Sequence, residues 1–280
     1  MTYHELIMQG RERLYKAGQG EQAAQLLMVE YCNQRGVNLY INMEEEISDE
    51  LKEIYLNAVS EMEQGKPMGY VLGYEWFYGY DFIVNEGCLI PRPETEELVG
   101  LVLGMYDDHF GGKEVEVFDV ATGSGAIGIS LDLEEPNMKV MASDISTEAL
   151  EVAEQNNKKL NANVKFLQGS MLDPFVEQGY HCDILVCNPP YIPSEEKMEH
   201  SVVDYEPHVA LFGGIDGLKF YKDVFEKANK VCKEKAFMAF EMGYQQGKVL
   251  SDLAKEYFPE AVVTVHKDMS GKDRMLTIEL

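Results

Sequence analysis

Asn188, Pro189, Pro190 and Tyr191 form the motif whose residue types point most directly to chemistry. The motif follows the apolar run 182–187, a predicted strand, at the edge where open α/β sheets bind ligands. Neither proline has an N–H, so backbone carbonyls and the side-chain oxygen of Asn188 remain as acceptors. Two converging acceptors match the two protons of a planar –NH2 group, and Tyr191 adds an aromatic face. We interpret the motif as a holder of an amide or amino group; the alternative is a rigid turn after a strand.

A second motif, residues 119–125, reads Asp-Val-Ala-Thr-Gly-Ser-Gly and lies where a predicted strand turns into a helix. Glycines there allow a positive φ and the close approach of a ligand to the backbone. A Gly-x-Gly turn occurs in many nucleotide-binding folds and in ordinary turns. Gly128 supplies the third glycine of a dinucleotide fingerprint, so a nicotinamide cofactor stays open on this motif. A phosphate-binding P-loop is excluded, because no Gly-Lys-Ser/Thr follows.

Further cofactor candidates follow the next two predicted strands. Asp144 ends the strand 139–144, where a carboxylate can accept both ribose hydroxyls of an adenosine moiety. The alternatives are a helix N-cap, for which the segment 144–146 offers candidates, and a solvated strand end. Ser170 and Met171 come after the strand 164–167, at the position that faces an adenine ring, and Met171 as core filler is the alternative. In this order, and followed by Asn-Pro-Pro-Tyr, these residues predict a nucleoside cofactor.

The chemistry that fits this combination is methyl transfer to an amide or amino nitrogen. Such a nitrogen is a poor nucleophile because its lone pair is delocalised. Holding both of its hydrogens orients it, and positioning of this kind supplies roughly 7–11 kcal/mol of a barrier. No strong general base is required, since the proton can leave after the methyl group arrives. The predicted donor is S-adenosylmethionine, whose sulfonium is already activated and whose product is S-adenosylhomocysteine.

The elements that position these residues follow from the hydrophobic pattern. The first 65 residues show helical spacing, and alternation from Phe77 to Val84 within an aromatic stretch suggests a strand or hairpin. A helix opens at Glu94, and from about residue 113 strands and helices alternate, which predicts a parallel sheet with helices on both faces. The other predicted strands are 115–120, 182–187, 235–241, 262–265 and 274–278, and the predicted helices are 125–133, 147–160, 219–231 and 246–257.

Composition narrows the class of partner. Lys and Arg total 24 and Asp and Glu 49, so the formal net charge is −25. Such a surface disfavours phosphate backbones and anionic membranes. No apolar run reaches the roughly 18 residues of a spanning helix, and no signal peptide is expected at the start. The five cysteines are scattered without a Cys-x-x-Cys pair, which predicts reduced thiols, a cytoplasmic location and no metal site.

With these motifs the sequence resembles the HemK/PrmC protein-glutamine methyltransferases over nearly its whole length. The resemblance is carried by Asp-x-Ala-Thr-Gly-Ser-Gly, then Asp144, then Asn-Pro-Pro-Tyr-Ile. Two positions depart from the family pattern: Ser170, where many members have an acidic residue, and Trp76, where we expect Glu. Further matching segments are Ile90 to Glu96, Tyr205-Glu206-Pro207, Ala210-Leu211, Asp216-Gly217-Leu218, Glu241 with Gly243, Gln245-Gln246-Gly247 and Asp273-Arg274.

The resemblance implies a fold, a reaction and a set of roles. It implies a Rossmann-like class I methyltransferase domain over 94–280, an aromatic hairpin linker over 71–93 and a helical substrate-docking domain over 1–70. It implies transfer of a methyl group from S-adenosylmethionine to the glutamine amide in the Gly-Gly-Gln motif of class I peptide chain release factors. Arg92 and Glu94 would help to organise the site. The implied cofactor contacts are Ala121, Thr122, Gly123, Ser124, Gly125, Asp144, Ile145, Ser170, Met171 and Asn188, and the implied catalytic and substrate contacts are Asn188, Pro189, Pro190, Tyr191 and, for substrate, Phe77.

Two other functions stay open. An adenine-specific DNA or RNA methyltransferase would use Asn-Pro-Pro-Tyr on a different –NH2 group, although the net charge and the lack of a Lys/Arg-rich stretch argue against it. A non-catalytic scaffold that binds S-adenosylmethionine would keep the cofactor pocket, although an intact Asn-Pro-Pro-Tyr speaks against it. An acidic enzyme fits a release factor, because a protein that binds ribosomal RNA carries basic surface.

Overall fold

The structure is a computed structural model, and residues 1–20, 22–196 and 200–280 are described. The chain divides into two compact units. The first contains residues 1–73 and 200–205, and the second contains residues 74–196 and 206–280. The division of the chain into a docking domain, a linker and a catalytic domain, with those roles, stays a prediction.

The helices occur in both units. In chain order they are α1 (Tyr3–Lys16), α2 (Ala23–Gln34), α3 (Asp49–Glu63), α4 (Met68–Leu72), α5 (Pro93–Phe110), α6 (Ala126–Glu134), α7 (Thr147–Leu160), α8 (Asp173–Gln178), α9 (His200–Tyr205), α10 (Lys219–Ala228) and α11 (Gly247–Tyr257), with a 3-10 turn at His208–Ala210.

The first unit is helical, as its spacing predicts. Thr2 caps α1 through a capping box with Glu5, and Ser48 caps α3, so both helices begin where their first free N–H groups find an acceptor. Their apolar faces pack on α2 around the fully buried Tyr55, whose hydroxyl donates to the Ala24 carbonyl at 3.0 Å. The helical character expected for the first 65 residues is therefore confirmed.

The second unit is built on a sheet whose described strands number seven. Their spatial order is β5-β4-β3-β6-β7-β9-β8, parallel from β5 to β7 and antiparallel at β9 and β8. The strands, with the separate hairpin β1–β2, are β1 (Tyr74–Phe77), β2 (Tyr80–Ile83), β3 (Val115–Val120), β4 (Met138–Asp144), β5 (Lys165–Gln168), β6 (Cys182–Cys187), β7 (Cys232–Glu241), β8 (Val262–Lys267) and β9 (Asp273–Glu279).

Helices cover both faces of this sheet. Phe118 and Val120 face an apolar cluster that includes α8, α10 and α11, whereas Val117 faces a second cluster that includes α5 and α6. Successive strand residues point to opposite faces, so a strand buried on both sides is continuously apolar. The predicted parallel sheet with helices on both faces is confirmed.

The strand order sets the place of the site. The chain leaves β3 toward β4 on one side, and later returns to β6 on the other side of β3. In register, Val120 at the end of β3 pairs with Ser143 of β4 and with Cys187 of β6. The segments after β3, β4 and β6 therefore meet at one edge, and such a switch point is where open α/β sheets bind ligands.

Some boundaries differ from the prediction. The helix expected over 219–231 ends at Ala228, and α4, α8 and the turn at His208–Ala210 are not predicted. The aromatic stretch forms the hairpin β1–β2, whose two turn residues, Tyr78 and Gly79, both have positive φ. None of the helices in the described parts of the chain combines the length and the hydropathy needed to cross a bilayer.

Candidate active site

A cavity of about 490 Å³ opens at the carboxyl edge of the parallel strands. Its volume is within the range of small-molecule and cofactor sites. Segments that are far apart in the chain meet in its wall. The predicted site residues that line it are Ala121, Thr122, Gly123, Ser124, Asp144, Ile145, Ser170, Met171, Asn188 and Pro190.

The turn after β3 is left-handed at three positions. Ala121, Gly123 and Gly125 have φ values of 60°, 56° and 83°. An alanine in this region is uncommon, because its Cβ crowds the backbone, so Ala121 is a strained position beside the cavity. The Gly123 N–H donates to Asp144 at 2.9 Å, which joins the turn to the end of β4.

Asp119, the last but one residue of β3, supports this turn from below. Its carboxylate is fully buried and accepts from the Thr122 hydroxyl at 2.5 Å and from the Gly128 N–H at 2.9 Å. Burial raises its pKa to about 6, against the lowering effect of those two hydrogen bonds. Its other oxygen has no hydrogen-bond partner among the described residues. The sequence motif contains Asp119, but its pattern alone assigns it no function.

Asp144 is held by backbone donors at the cavity wall. Besides Gly123, the Ser146 N–H donates to it at 2.9 Å. Burial raises the pKa of the Asp144 carboxyl, and these backbone hydrogen bonds partly offset that effect. The side chain that caps α7 is Ser146, which accepts from the Ala149 N–H at 3.1 Å. Asp144 is therefore not the N-cap, and its assignment to ribose hydroxyls stays a prediction.

Ser170 and Met171 follow β5 and form another part of the wall. Met171 has a φ of 46° and is nearly buried, and it belongs to the apolar cluster on one face of the sheet. Its carbonyl accepts from the Ser143 hydroxyl at 3.0 Å. Met171 therefore packs in the core and also lines the cavity, and its contact with an adenine ring stays a prediction.

Asn188 and Pro190 of the Asn-Pro-Pro-Tyr motif also line the cavity. The Asn188 Nδ2 donates to the Thr95 hydroxyl at 3.3 Å. The Tyr191 hydroxyl, which lies outside the described cavity lining, donates to Glu241 at 3.2 Å. Burial raises the pKa of Tyr191, and the Glu241 charge adds to this, so its hydroxyl stays protonated and able to donate.

The backbone of the motif is held by a neighbouring glycine loop. A Cβ at Gly213 would lie 2.5 Å from the Pro190 carbonyl oxygen, and one at Gly217 would lie 2.3 Å from the Tyr191 carbonyl oxygen. The Gln246 side chain donates to the same Tyr191 carbonyl at 3.1 Å. Residues 213, 217 and 246 therefore contact the backbone of the motif. Local sequence patterns do not reveal these contacts.

Two buried carboxylates near the cavity, Glu206 and Glu241, belong to segments that match the family pattern, but the sequence alone assigns them no role. Glu241 ends β7, is 2% exposed and accepts from Thr95 at 2.6 Å as well as from Tyr191. Burial raises its pKa, while Thr95, Arg274 and Tyr191 act in the opposite direction. Glu206 is also buried and pairs with Arg92, whose predicted organising role fits this contact.

Four predicted site residues are outside the cavity lining found in the described chain: Gly125, Pro189, Tyr191 and Phe77. Phe77 is the one that belongs to the hairpin β1–β2. It is 1% exposed, packs edge-on against Phe82 at 5.9 Å between ring centres, and lies outside the cavity lining found in the described chain. The neighbouring Trp76 is 55% exposed. Contact between Phe77 and a substrate stays a prediction, as do the other individual site assignments.

The residues of the cavity fit an adenosine-type cofactor. Asp144 presents acceptor oxygens beside a turn with left-handed backbone, and Ile145 and Met171 offer apolar surface for a flat ring. The described residues contain no group of three or more His, Cys, Asp or Glu side chains arranged to hold a metal ion.

Comparison with protein families finds two matches. Residues 5–73 match the family PrmC N-terminal domain, and residues 101–205 match the family Methyltransferase small domain. Curated relatives named release factor glutamine methyltransferase cover essentially the whole chain. The protein from Bacillus cereus is 41% identical over 100% of both chains, and that from Bacillus subtilis is 43% identical over 98% of this chain and 96% of its own.

Solved structures share the fold at low identity. A methyltransferase from Pyrococcus furiosus has a TM-score of 0.51 and 19% identity, covering 80% of this chain and 98% of its own. The 16S rRNA N2 G1207 methyltransferase of Thermus thermophilus, solved in complex with AdoMet and guanosine, has a TM-score of 0.50 and 14% identity, covering 74% of this chain and 49% of its own. At these identities the likeness shows the fold alone.

Proposed function

Because the chain belongs to the family of release factor glutamine methyltransferases, we propose that it methylates the side-chain amide of the Gly-Gly-Gln glutamine in class I peptide chain release factors, using S-adenosylmethionine. The observation that carries the proposal is that Asp144, the glycine turn and Asn188 line one cavity. The carboxylate proposed to hold the ribose and the side chain proposed to accept from an –NH2 group therefore line the same cavity. A release factor works on the ribosome, so the proposed location is the cytoplasm.

The chain's own residues divide the work of binding. S-adenosylmethionine, when bound, supplies a methyl group on an activated sulfonium. Asp144 would hold the ribose hydroxyls and Ile145 and Met171 the adenine, while the turn 121–125 would hold the methionine end. These groups bind and orient the cofactor, and none of them has to transfer a proton.

The Asn-Pro-Pro-Tyr motif would hold the substrate. The Asn188 side-chain oxygen and the Pro189 carbonyl would each accept one proton of the glutamine –NH2 group, while Pro190 and Tyr191 shape a slot for the flat amide. These acceptors are neutral, so they orient the nitrogen without removing its proton before methylation. The contribution of the chain is therefore mainly positioning.

The direct experiment incubates the chain with tritiated S-adenosylmethionine and purified release factor, followed by peptide mapping of the label. We expect the label in the peptide that contains Gly-Gly-Gln, and none in a release factor whose motif glutamine is replaced by alanine. Plasmid DNA and ribosomal RNA are assayed in parallel. Label in nucleic acid but not in protein would favour the adenine-specific alternative, and cofactor binding without any turnover would favour a scaffold.

A further inference from the structure

Thr95 lies between the substrate-facing motif and a buried carboxylate. It stands in the first turn of α5 and is 4% exposed. Its hydroxyl donates to Glu241 Oε2 at 2.6 Å and accepts from Asn188 Nδ2 at 3.3 Å. The three side chains thus form a chain of hydrogen bonds from the end of β7 to the segment after β6.

The direction of these hydrogen bonds is determined by proton count. A hydroxyl has one proton, and an ionised carboxylate can only accept. Since Thr95 gives its proton to Glu241, it has only lone pairs to offer Asn188. Asn188 must therefore turn its –NH2 group toward Thr95, and its Oδ1, at the opposite end of the planar amide group, is left available to the cavity that Asn188 lines.

The opposite amide orientation is disfavoured by the same contacts. With Oδ1 toward Thr95, two lone pairs would face each other, and the –NH2 group would be presented to the cavity. A side chain in that state would donate to a ligand. It would therefore bind a carboxylate, which accepts hydrogen bonds, better than the –NH2 group of a glutamine, which donates them.

Glu241 holds the far end of the motif as well. Its second oxygen accepts from the Tyr191 hydroxyl at 3.2 Å, and the Tyr221 hydroxyl donates to its backbone carbonyl at 2.7 Å. One buried carboxylate therefore fixes a side chain at each end of Asn-Pro-Pro-Tyr. Its location at the end of β7, adjacent to β6 in the sheet, brings it within reach of both.

We propose that Thr95 and Glu241 are positioning residues that select the amide orientation of Asn188, so that its oxygen and not its nitrogen meets the substrate –NH2 group. The inference rests on the proposed function, which supplies that substrate. It extends the proposed function by assigning glutamine-over-glutamate selectivity to residues that need not touch the substrate.

The test compares Thr95→Val, which keeps the branched shape but removes the hydroxyl, with Thr95→Ser, which keeps the hydroxyl. For Thr95→Val we expect kcat on release factor to fall by about 100-fold, the loss typical of a misplaced reacting group. Thr95 lines the same cavity but is only 4% exposed, and Asp144 and the glycine turn are not altered, so we expect little change in the Kd for S-adenosylmethionine. Thr95→Ser should restore most of the wild-type kcat.

A selectivity measurement separates orientation from a general structural role. A release factor with Gly-Gly-Glu in place of Gly-Gly-Gln serves as a competitive inhibitor. In Thr95→Val the Asn188 amide is free to turn its –NH2 group toward the cavity, so the inhibition constant of the glutamate form should fall relative to the KM of the glutamine form. Thr95→Ser should keep the wild-type ratio, and a merely loosened site would weaken both ligands together.

Equal kcat and an equal inhibition ratio in Thr95→Val and Thr95→Ser would overturn the inference while leaving the proposed function intact. Failure of the wild-type chain to methylate release factor would instead overturn the proposed function. Should Thr95→Val not fold, Thr95→Ala, which also lacks the hydroxyl, replaces it in the same measurements. Wild-type kcat and a wild-type inhibition ratio in that variant would also overturn the inference.

Discussion

Replacing Asn188 by alanine should separate methyl transfer from cofactor binding. The change removes the side-chain oxygen assigned to the glutamine amide and leaves the backbone carbonyls of the motif in place. Asn188 is one of the implied cofactor contacts, but Asp144 and the turn 121–125 are untouched, so the Kd for S-adenosylmethionine should remain close to that of the wild type. The loss should appear in the methylation rate.

The magnitude follows from what Asn188 contacts. Removing a positioned polar group at a reacting centre costs about 2–4 kcal/mol of transition-state stabilisation, which corresponds to roughly a 30- to 1000-fold loss in kcat/KM. Folding should suffer much less. The Asn188 side chain has one described bond, at 3.3 Å to Thr95, and Thr95 keeps its stronger bond to Glu241. The free energy of unfolding should therefore fall by about 1 kcal/mol at most.

The assay measures kcat/KM with purified release factor and tritiated S-adenosylmethionine, together with cofactor Kd by calorimetry and stability by denaturant titration. Asn163→Ala is the matched control, since Asn163 is exposed and lies outside the described cavity lining. If Asn188→Ala and Asn163→Ala turned over release factor at the same rate, the role assigned to the Asn188 oxygen would be refuted.

Three further predictions follow from other parts of the site. Asp144→Asn should weaken S-adenosylmethionine binding by about 1.5–3 kcal/mol, and calorimetry of the wild type should show affinity falling as the pH drops through the raised Asp144 pKa, because a protonated carboxyl accepts less well. Gly213→Ala should lower both kcat and melting temperature, since its Cβ would lie 2.5 Å from the Pro190 carbonyl oxygen. The control is Gly104→Ala: Gly104 is exposed in α5, and an added Cβ there has no neighbouring atom within 4 Å. This control should raise the free energy of unfolding by about 0.5–1 kcal/mol. The pKa of Asp119 is raised from 3.8 to about 6, so between these pH values the native state keeps a proton that the unfolded chain has lost. Denaturant titrations over this range should therefore show the free energy of unfolding falling as pH rises, by up to about 3 kcal/mol. The Asp119→Asn variant should lack this contribution to the pH dependence.

Local pattern was sufficient for the elements that carry the cofactor motifs. The helix predicted over 147–160 is found as α7 with the same bounds, and the strand predicted over 115–120 is β3. The apolar pattern of each is strong, β3 runs into the glycine motif, and α7 starts shortly after Asp144. The helix predicted over 219–231 is shorter because the chain turns after Ala228, although Val231 continues the apolar pattern and is buried. Helix α8, with six residues, is too short to show a period.

The contacts between motifs could not be read from the sequence in the same way. Thr95 and Glu241 are 146 residues apart, and the Tyr191 carbonyl accepts from Gln246, 55 residues further along the chain. Such pairs depend on the strand order, which places β6 between β3 and β7. The residue types were visible within matched segments, but their roles emerge only when the sheet edge brings them together.

The arrangement of carboxylates bears on how the proposed reaction loses its proton. Asp144 accepts from backbone N–H groups, and Glu241 accepts from the hydroxyls of Thr95 and Tyr191. Glu241 is thereby occupied by the protein's own hydroxyl donors, and Asp144 is assigned to the ribose hydroxyls, so neither carboxylate is assigned to the proton of the glutamine amide. The acceptors assigned to the glutamine nitrogen are neutral amide oxygens, which orient N–H bonds but are too weakly basic to remove a proton from an unreacted carboxamide. Methylation makes that nitrogen cationic and strongly acidic, so water can take the proton afterwards. A site that positions the amide well therefore does not need a strong base. The proline-containing turn after β6 is suited to this positioning, because its backbone is rigid.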